Sequence, residues 1–81
     1  VDASPIGYML VIKNKDKPGL IGQIGTLLGK SRINIAGMSN GREQPGGEAI
    51  TVLNIDKMVS ETILRNIRRV RNVLDVKLLK L

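Results

Sequence analysis

The chain has 81 residues, a formal net charge of +6, neither cysteine nor histidine, and Tyr8 as its only aromatic side chain. That length suits one domain with a modest core, and a domain so small is often paired with a second copy or a larger chain. The missing residue types exclude disulfides and thiolate metal sites and remove the commonest acid–base group, so no catalytic residue and no metal site is expected.

Residues 1–7 hold Pro5 and Gly7, show no periodicity and read as a linker or tail before a domain over 8–81. Val1 stands where an initiator Met would, which suggests a piece cut from a longer protein. Tyr8 to Ile12 is a short apolar run rich in strand formers and reads as a strand buried on both faces. Asn14-Lys15-Asp16-Lys17-Pro18-Gly19 is expected to break it. From Gly19 to Ser31, Leu20, Ile21, Ile24, Leu27 and Leu28 recur at helical spacing, with Gly22, Gly25 and Gly29 on a flank of that apolar face. Three glycines weaken an isolated helix by about 0.8–1 kcal/mol each relative to Ala, so close approach of another backbone or a ligand is the natural compensation.

Asn34 to Glu43 reads as a second strand, weakened by Gly37 and Gly41, and Gln44-Pro45-Gly46-Gly47 as a type II turn. Ala49 to Ile55 is the strongest strand pattern, though its core face is not decided by pattern alone. Ser60 is a good N-cap for a second helix, with Glu61 in its first turn and Val59 and Leu64 placed for a hydrophobic staple. Ile63, Leu64, Ile67 and Val70 form that helix's buried stripe, and Arg65, Arg68 and Arg69 its outside. Val73 to Leu79 closes the chain as a strand, with Leu74, Val76 and Leu78 on one face. The order is βαββαβ, an α+β ferredoxin-like arrangement: a four-stranded antiparallel sheet with two helices on one face.

Two local features carry candidate chemistry. The polar loop Asn14 to Gly22 opens a helix straight after a strand, and free amides at a helix start suit a carboxylate or phosphate. The structural alternative is that Asp16 caps the helix and Pro18 fills its first turn. Asn34, after the helix, carries a short amide able to meet an amino acid's ammonium and carboxylate; alternatively it is satisfied within its own turn. The glycine run is Gly-x-x-Gly-x-x-Gly, unlike a dinucleotide fingerprint. The basic charge reads as a solvated surface, and single-stranded nucleic acid is usually held by aromatic stacking, so no nucleic-acid partner is expected. No apolar run is long enough to span a bilayer and none resembles a signal peptide; no membrane partner and a cytoplasmic location are expected.

Asp16-Lys17-Pro18-Gly19, Ile33-Asn34-Ile35-Ala36 and Gly46-Gly47-Glu48-Ala49, in that order and spacing, resemble an ACT domain. Ile21 to Gly29 and Val52 to Asp56 resemble in particular the ACT domain at the C-terminal end of D-3-phosphoglycerate dehydrogenase. The resemblance implies a non-catalytic, effector-binding regulatory module that takes an amino acid, commonly L-serine, at an interface between two copies. It implies no cofactor in this stretch and NAD in catalytic domains elsewhere in the parent enzyme. Effector contacts are expected from Asn14, Asp16, Pro18, Gly19, Leu20, Ile21, Asn34 and Ile35, and self-association through the second strand as an edge and the first helix. Asn14 stands where the serine-regulated form carries His, and Asp16 where it carries Asn. An anionic Asp16 would suit an ammonium and repel a carboxylate. Alternatives are an ACT module that only oligomerises, or the similar ACT domain of iron–sulfur L-serine dehydratase.

Overall fold

A computed structural model describes residues 7–42 and 47–80 of the chain. Its elements are β1 (Tyr8–Lys15), α1 (Leu20–Lys30), β2 (Ile35–Arg42), β3 (Glu48–Ile55), α2 (Glu61–Arg68) and β4 (Val73–Lys80). The strands form one sheet in the order β2-β3-β1-β4, antiparallel at every pairing. This is the expected split βαβ architecture. The expected tail lies, apart from Gly7, outside the described residues, and so does the expected turn at 44–47, apart from Gly47.

Period-2 alternation decides the face that the pattern of β3 left open. Ala49, Thr51, Leu53 and Ile55 point inward with Leu10 and Ile12 of β1 and Val76 of β4. Against them pack Leu20, Ile24 and Leu28 of α1 and Leu64 and Ile67 of α2, closed at the ends by Ile33 and Val59. Burying each such side chain contributes roughly 1.5–3 kcal/mol. Val59 and Leu64 both lie in this cluster, as a staple across Ser60 requires.

Three expectations are corrected. First, β1 is covered on one face only: Leu10 and Ile12 are buried, but Met9 and Val11 are half-buried, because both helices take the same side. Second, β1 continues through Asn14 and Lys15 and breaks at Asp16. Strands pair with it on both flanks, so ladder hydrogen bonds outweigh the polar composition there. Third, Leu74 is 45% exposed, since the β1–β4 register shifts between Lys13 and Asn14 and leaves Leu74 unpaired.

α1 ends in a Schellman motif with Arg32 in the left-handed position at φ 59. The Arg32 amide donates to Gly29 O and the Ile33 amide to Leu28 O, each at 3.0 Å. The chain then enters β2, which among the described residues is an edge strand paired with β3 alone. α2 packs on β4 and α1 lies beside it, so β2 projects beyond the helix layer. Its Met38 is 57% exposed although it lies opposite the fully buried Leu53.

Candidate functional site

The start of α1 is built from the end of β1. The Lys15 amide donates to Asn72 O at 2.8 Å and the Asp16 amide to Gly47 O at 2.7 Å, which ties the loop to the residues just ahead of β4 and β3. Pro18 and Gly19 then turn the chain, and Gly19 is the N-cap at φ 84, a left-handed backbone that a side chain would strain. The cap is therefore not Asp16, and Pro18 precedes the helix instead of filling its first turn. The helical ladder opens with the Gln23 amide on Gly19 O at 3.1 Å. The amides of Leu20, Ile21 and Gly22 stand ahead of that ladder, at the positive end of the helix dipole. Leu20 buries its side chain in the core, so only its backbone faces the loop; Ile21 and Asp16 are half-buried, and Lys17, Pro18 and Gly19 are exposed.

Asn14 is not an exposed ligand. It is 2% exposed, its Nδ2 donates to Lys15 O at 3.0 Å, and its Oδ1 accepts the hydroxyl proton of the fully buried Thr51 at 2.9 Å. Thr51 in turn accepts from Nδ2 of Asn40 on β2 at 3.3 Å. Three strands are thus joined by a chain of side-chain hydrogen bonds beneath the start of α1. Sequence reasoning missed Thr51 and Asn40; the available signal was a hydroxyl among the apolar residues of β3.

Asn34 lies at the other end of the sheet. Its backbone amide donates to Asp56 Oδ1 at 3.0 Å, its Nδ2 donates to Asp56 Oδ2 at 3.1 Å, and the Asp56 amide donates back to Asn34 O at 3.2 Å. Donation by the Asn34 backbone is the main cause that holds the Asp56 carboxyl below its ordinary value of 3.8; desolvation opposes it, while the Asn34 side chain and Lys57 add to it. Both side chains are exposed, and Ile35 beside them is 39% exposed. Asp56 was missed as well; it closes the Val52–Asp56 run, where a lone carboxylate at a strand end reads as solvated.

Asn14 lies opposite Ala49 and Ile35 opposite Ile55 on the intervening strand. That separation is roughly 20 Å at about 3.3 Å per residue, so one chain does not bring its two groups of candidate residues together. The three helix glycines carry open space: a Cβ at Gly22, Gly25 or Gly29 would meet nothing within 4 Å. A groove between α1 and α2 reaches the start of α1, and its lining includes Gly19, Gly22, Gln23, Leu27, Asn66 and Val70. By helical geometry, Gly25 and Ile21 lie on the flank of α1 away from that groove.

Residues 8–72 match the family model of the ACT domain. The chain belongs to the ACT domain family. It is 42% identical over 77 residues to D-3-phosphoglycerate dehydrogenase of Methanocaldococcus jannaschii, covering 95% of this chain and 15% of that protein. It is 38% identical over 81 residues to the Bacillus subtilis enzyme of the same name, covering all of this chain and 15% of that protein. The chain thus spans about 15% of the length of these relatives. Among solved structures, the ACT domain from GTP pyrophosphokinase of Chlorobium tepidum superposes with a TM-score of 0.69 at 23% identity, over 91% of this chain and 97% of that one. That likeness bears on the fold. Among the described residues, no helix is long and apolar enough to cross a membrane.

Proposed function

We propose that this ACT domain is the L-serine-binding regulatory domain of a cytoplasmic D-3-phosphoglycerate dehydrogenase, with the effector held between two copies. The carrying observation is the split of the candidate residues to opposite ends of a sheet whose β2 edge is open among the described residues. β1 and β2 run in the same direction, so Asn14, Asp16 and the start of α1 share an end of the sheet with Gly41 and Arg42. Antiparallel pairing of two β2 edges about a two-fold axis would carry Asn34 of a second copy to that end. Ile21 and Gly25 of α1 would then face the second copy over Met38, where open space beside the glycines permits close approach.

In this reading a serine carboxylate takes the amides of Leu20 and Ile21, and its ammonium takes Asp16 and the second copy's Asn34. Asn14 acts by holding Lys15 in place. Binding across the interface favours the arrangement that brings the two copies together, and only differential affinity for that arrangement regulates the enzyme. NAD would bind in catalytic domains outside the 81 residues. An antiparallel sheet offers no crevice at the carboxyl ends of parallel strands, so the residues present do not fit a dinucleotide.

The buried, internally bonded Asn14 favours a second reading, an ACT module that associates without a ligand. Calorimetric titration with a panel of amino acids beginning with L-serine, alongside sedimentation, separates the two. The effector reading expects one class of sites on a dimer, weakened by Asn34→Ala with the melting temperature kept. A dimer that gives no heat with any amino acid supports the second reading; a stable monomer sinks both.

A further inference from the structure

The Asn34–Asp56 pair determines which end of the Asn34 carboxamide is available to a ligand. A carboxylate only accepts hydrogen bonds, so the carboxamide atom facing Asp56 has to be the nitrogen, as the 3.1 Å contact has it. The amide plane then turns Oδ1 away from Asp56 and into solvent. The backbone contacts in both directions, 3.0 Å from the Asn34 amide and 3.2 Å from the Asp56 amide, lock the two residues in this relation. Left alone, an asparagine offers a donor end and an acceptor end with equal ease. Held by Asp56, it offers an acceptor beside a negative charge, and that corner suits a cation and repels an anion. The start of α1 has the opposite character, with amide donors at a positive dipole end.

We propose that Asp56 is a positioning residue that presents the Asn34 carboxamide oxygen, beside its own carboxylate, to the α-ammonium group of the effector. The proposal rests on the effector reading above and deepens it: the Asn34–Asp56 corner of one copy adds to Asp16 of the other in selecting an amino acid over the corresponding hydroxy acid. Discrimination of this kind is strong because a hydroxyl in place of the ammonium forfeits a charge-assisted bond.

L-Serine and L-glycerate differ only in carrying an α-amino or an α-hydroxyl group, so titrating the 81-residue chain with each reads all contacts to the ammonium, and variants at Asp56 isolate the share of the corner. The chain is expected to bind serine more tightly than glycerate by roughly tenfold or more. Asp56→Asn removes the charge and frees the Asn34 amide to rotate. It is expected to lower serine affinity by roughly tenfold while leaving glycerate affinity unchanged or raised, so the preference narrows to what Asp16 supplies. Asp56→Glu, which keeps the charge and the acceptors, is expected to restore part of the preference. Should Asp56→Asn fail to fold, Asp56→Ser retains an acceptor for the Asn34 amide and is expected to narrow the preference as well. Equal weakening of both ligands in these variants, or an unchanged ratio, overturns the proposal and leaves the effector site standing. A wild-type chain that binds neither serine nor any other amino acid overturns the effector reading first and the proposal with it.

Discussion

α2 and α1 are begun and ended by different means. α2 is introduced by Ser60, whose hydroxyl accepts from the Ile63 amide at 3.2 Å, with Glu61 in its first turn and Arg65 and Arg68 in its last. Each of these features is a local stabiliser of a helix. α1 begins at a left-handed Gly19, has no acidic residue in its first turn, and contains three glycines. Its stability comes from the burial of Leu20, Ile24 and Leu28 and from the Schellman closure onto Ile33. The helix with local caps has one amide of its first turn satisfied by the Ser60 side chain. The helix that the sheet holds from below receives no side-chain cap from Gly19, so its first turn depends on the loop that the neighbouring strands fix.

The contrast breaks most sharply with Ile24→Ala. Ile24 is fully buried, and the truncation should cost about 2–5 kcal/mol. Because α1 has little local support, its amides should lose hydrogen-exchange protection before those of α2. Urea unfolding gives the size, and exchange read residue by residue gives the order; simultaneous loss in both helices would mean that α1 is not the weaker element. Thr51→Val keeps the shape and removes a buried hydroxyl that serves Asn14 and Asn40, for an expected loss of about 1–3 kcal/mol. Exchange should quicken at Lys15 and Asp16 in that variant, whereas Thr51→Ser should behave nearly as wild type.

The two caps can be compared directly. Gly19→Ala forces a side chain into the left-handed region, at about 1–2 kcal/mol, and no neighbour obstructs its Cβ. Ser60→Ala should cost about 1 kcal/mol. The stabilities are similar, but only Gly19→Ala should change the heat of L-serine binding; an equal effect from Ser60→Ala would break the distinction between the helix starts. Arg32→Gly should raise stability by about 0.5–1 kcal/mol, as relief of the left-handed strain exceeds the entropy glycine adds to the unfolded chain.

The smallest effect is in acid. The folded-state pKa of Asp56 lies below 3.8, so its contribution to stability is complete above that pH and is lost as pH falls through the folded value. Asp56 is fully exposed, so the change in melting temperature should be small. It should vanish in Asp56→Asn, and serine affinity should fall over the same acid range.

Much of the fold was legible because its signals are local. Alternation from Ala49 to Ile55, the spacing of Leu20, Ile24 and Leu28, and the Ser60 cap each depend on residues within a turn or a strand of one another. The motifs around Asp16 and Asn34 marked the candidate site for the same reason. Asp56 and Thr51 were not legible, since their roles depend on partners 22 and 37 residues away. A strand-end carboxylate and a strand hydroxyl look ordinary until the partner's position is known.

The sequence by itself determined the element order, the inward faces of the two helices and the class of chemistry available, because periodicity and residue type act over short spans. Only the tertiary structure decided that β1 has one open face, that Asn14 is buried, and that Asn14 and Asn34 stand at opposite ends of the sheet. These follow from the strand order β2-β3-β1-β4, which places both helices on one side and leaves β2 beyond them. Strand pairing joins residues far apart in the chain, and the same pairing determines which polar groups are satisfied within the domain and which still face outward.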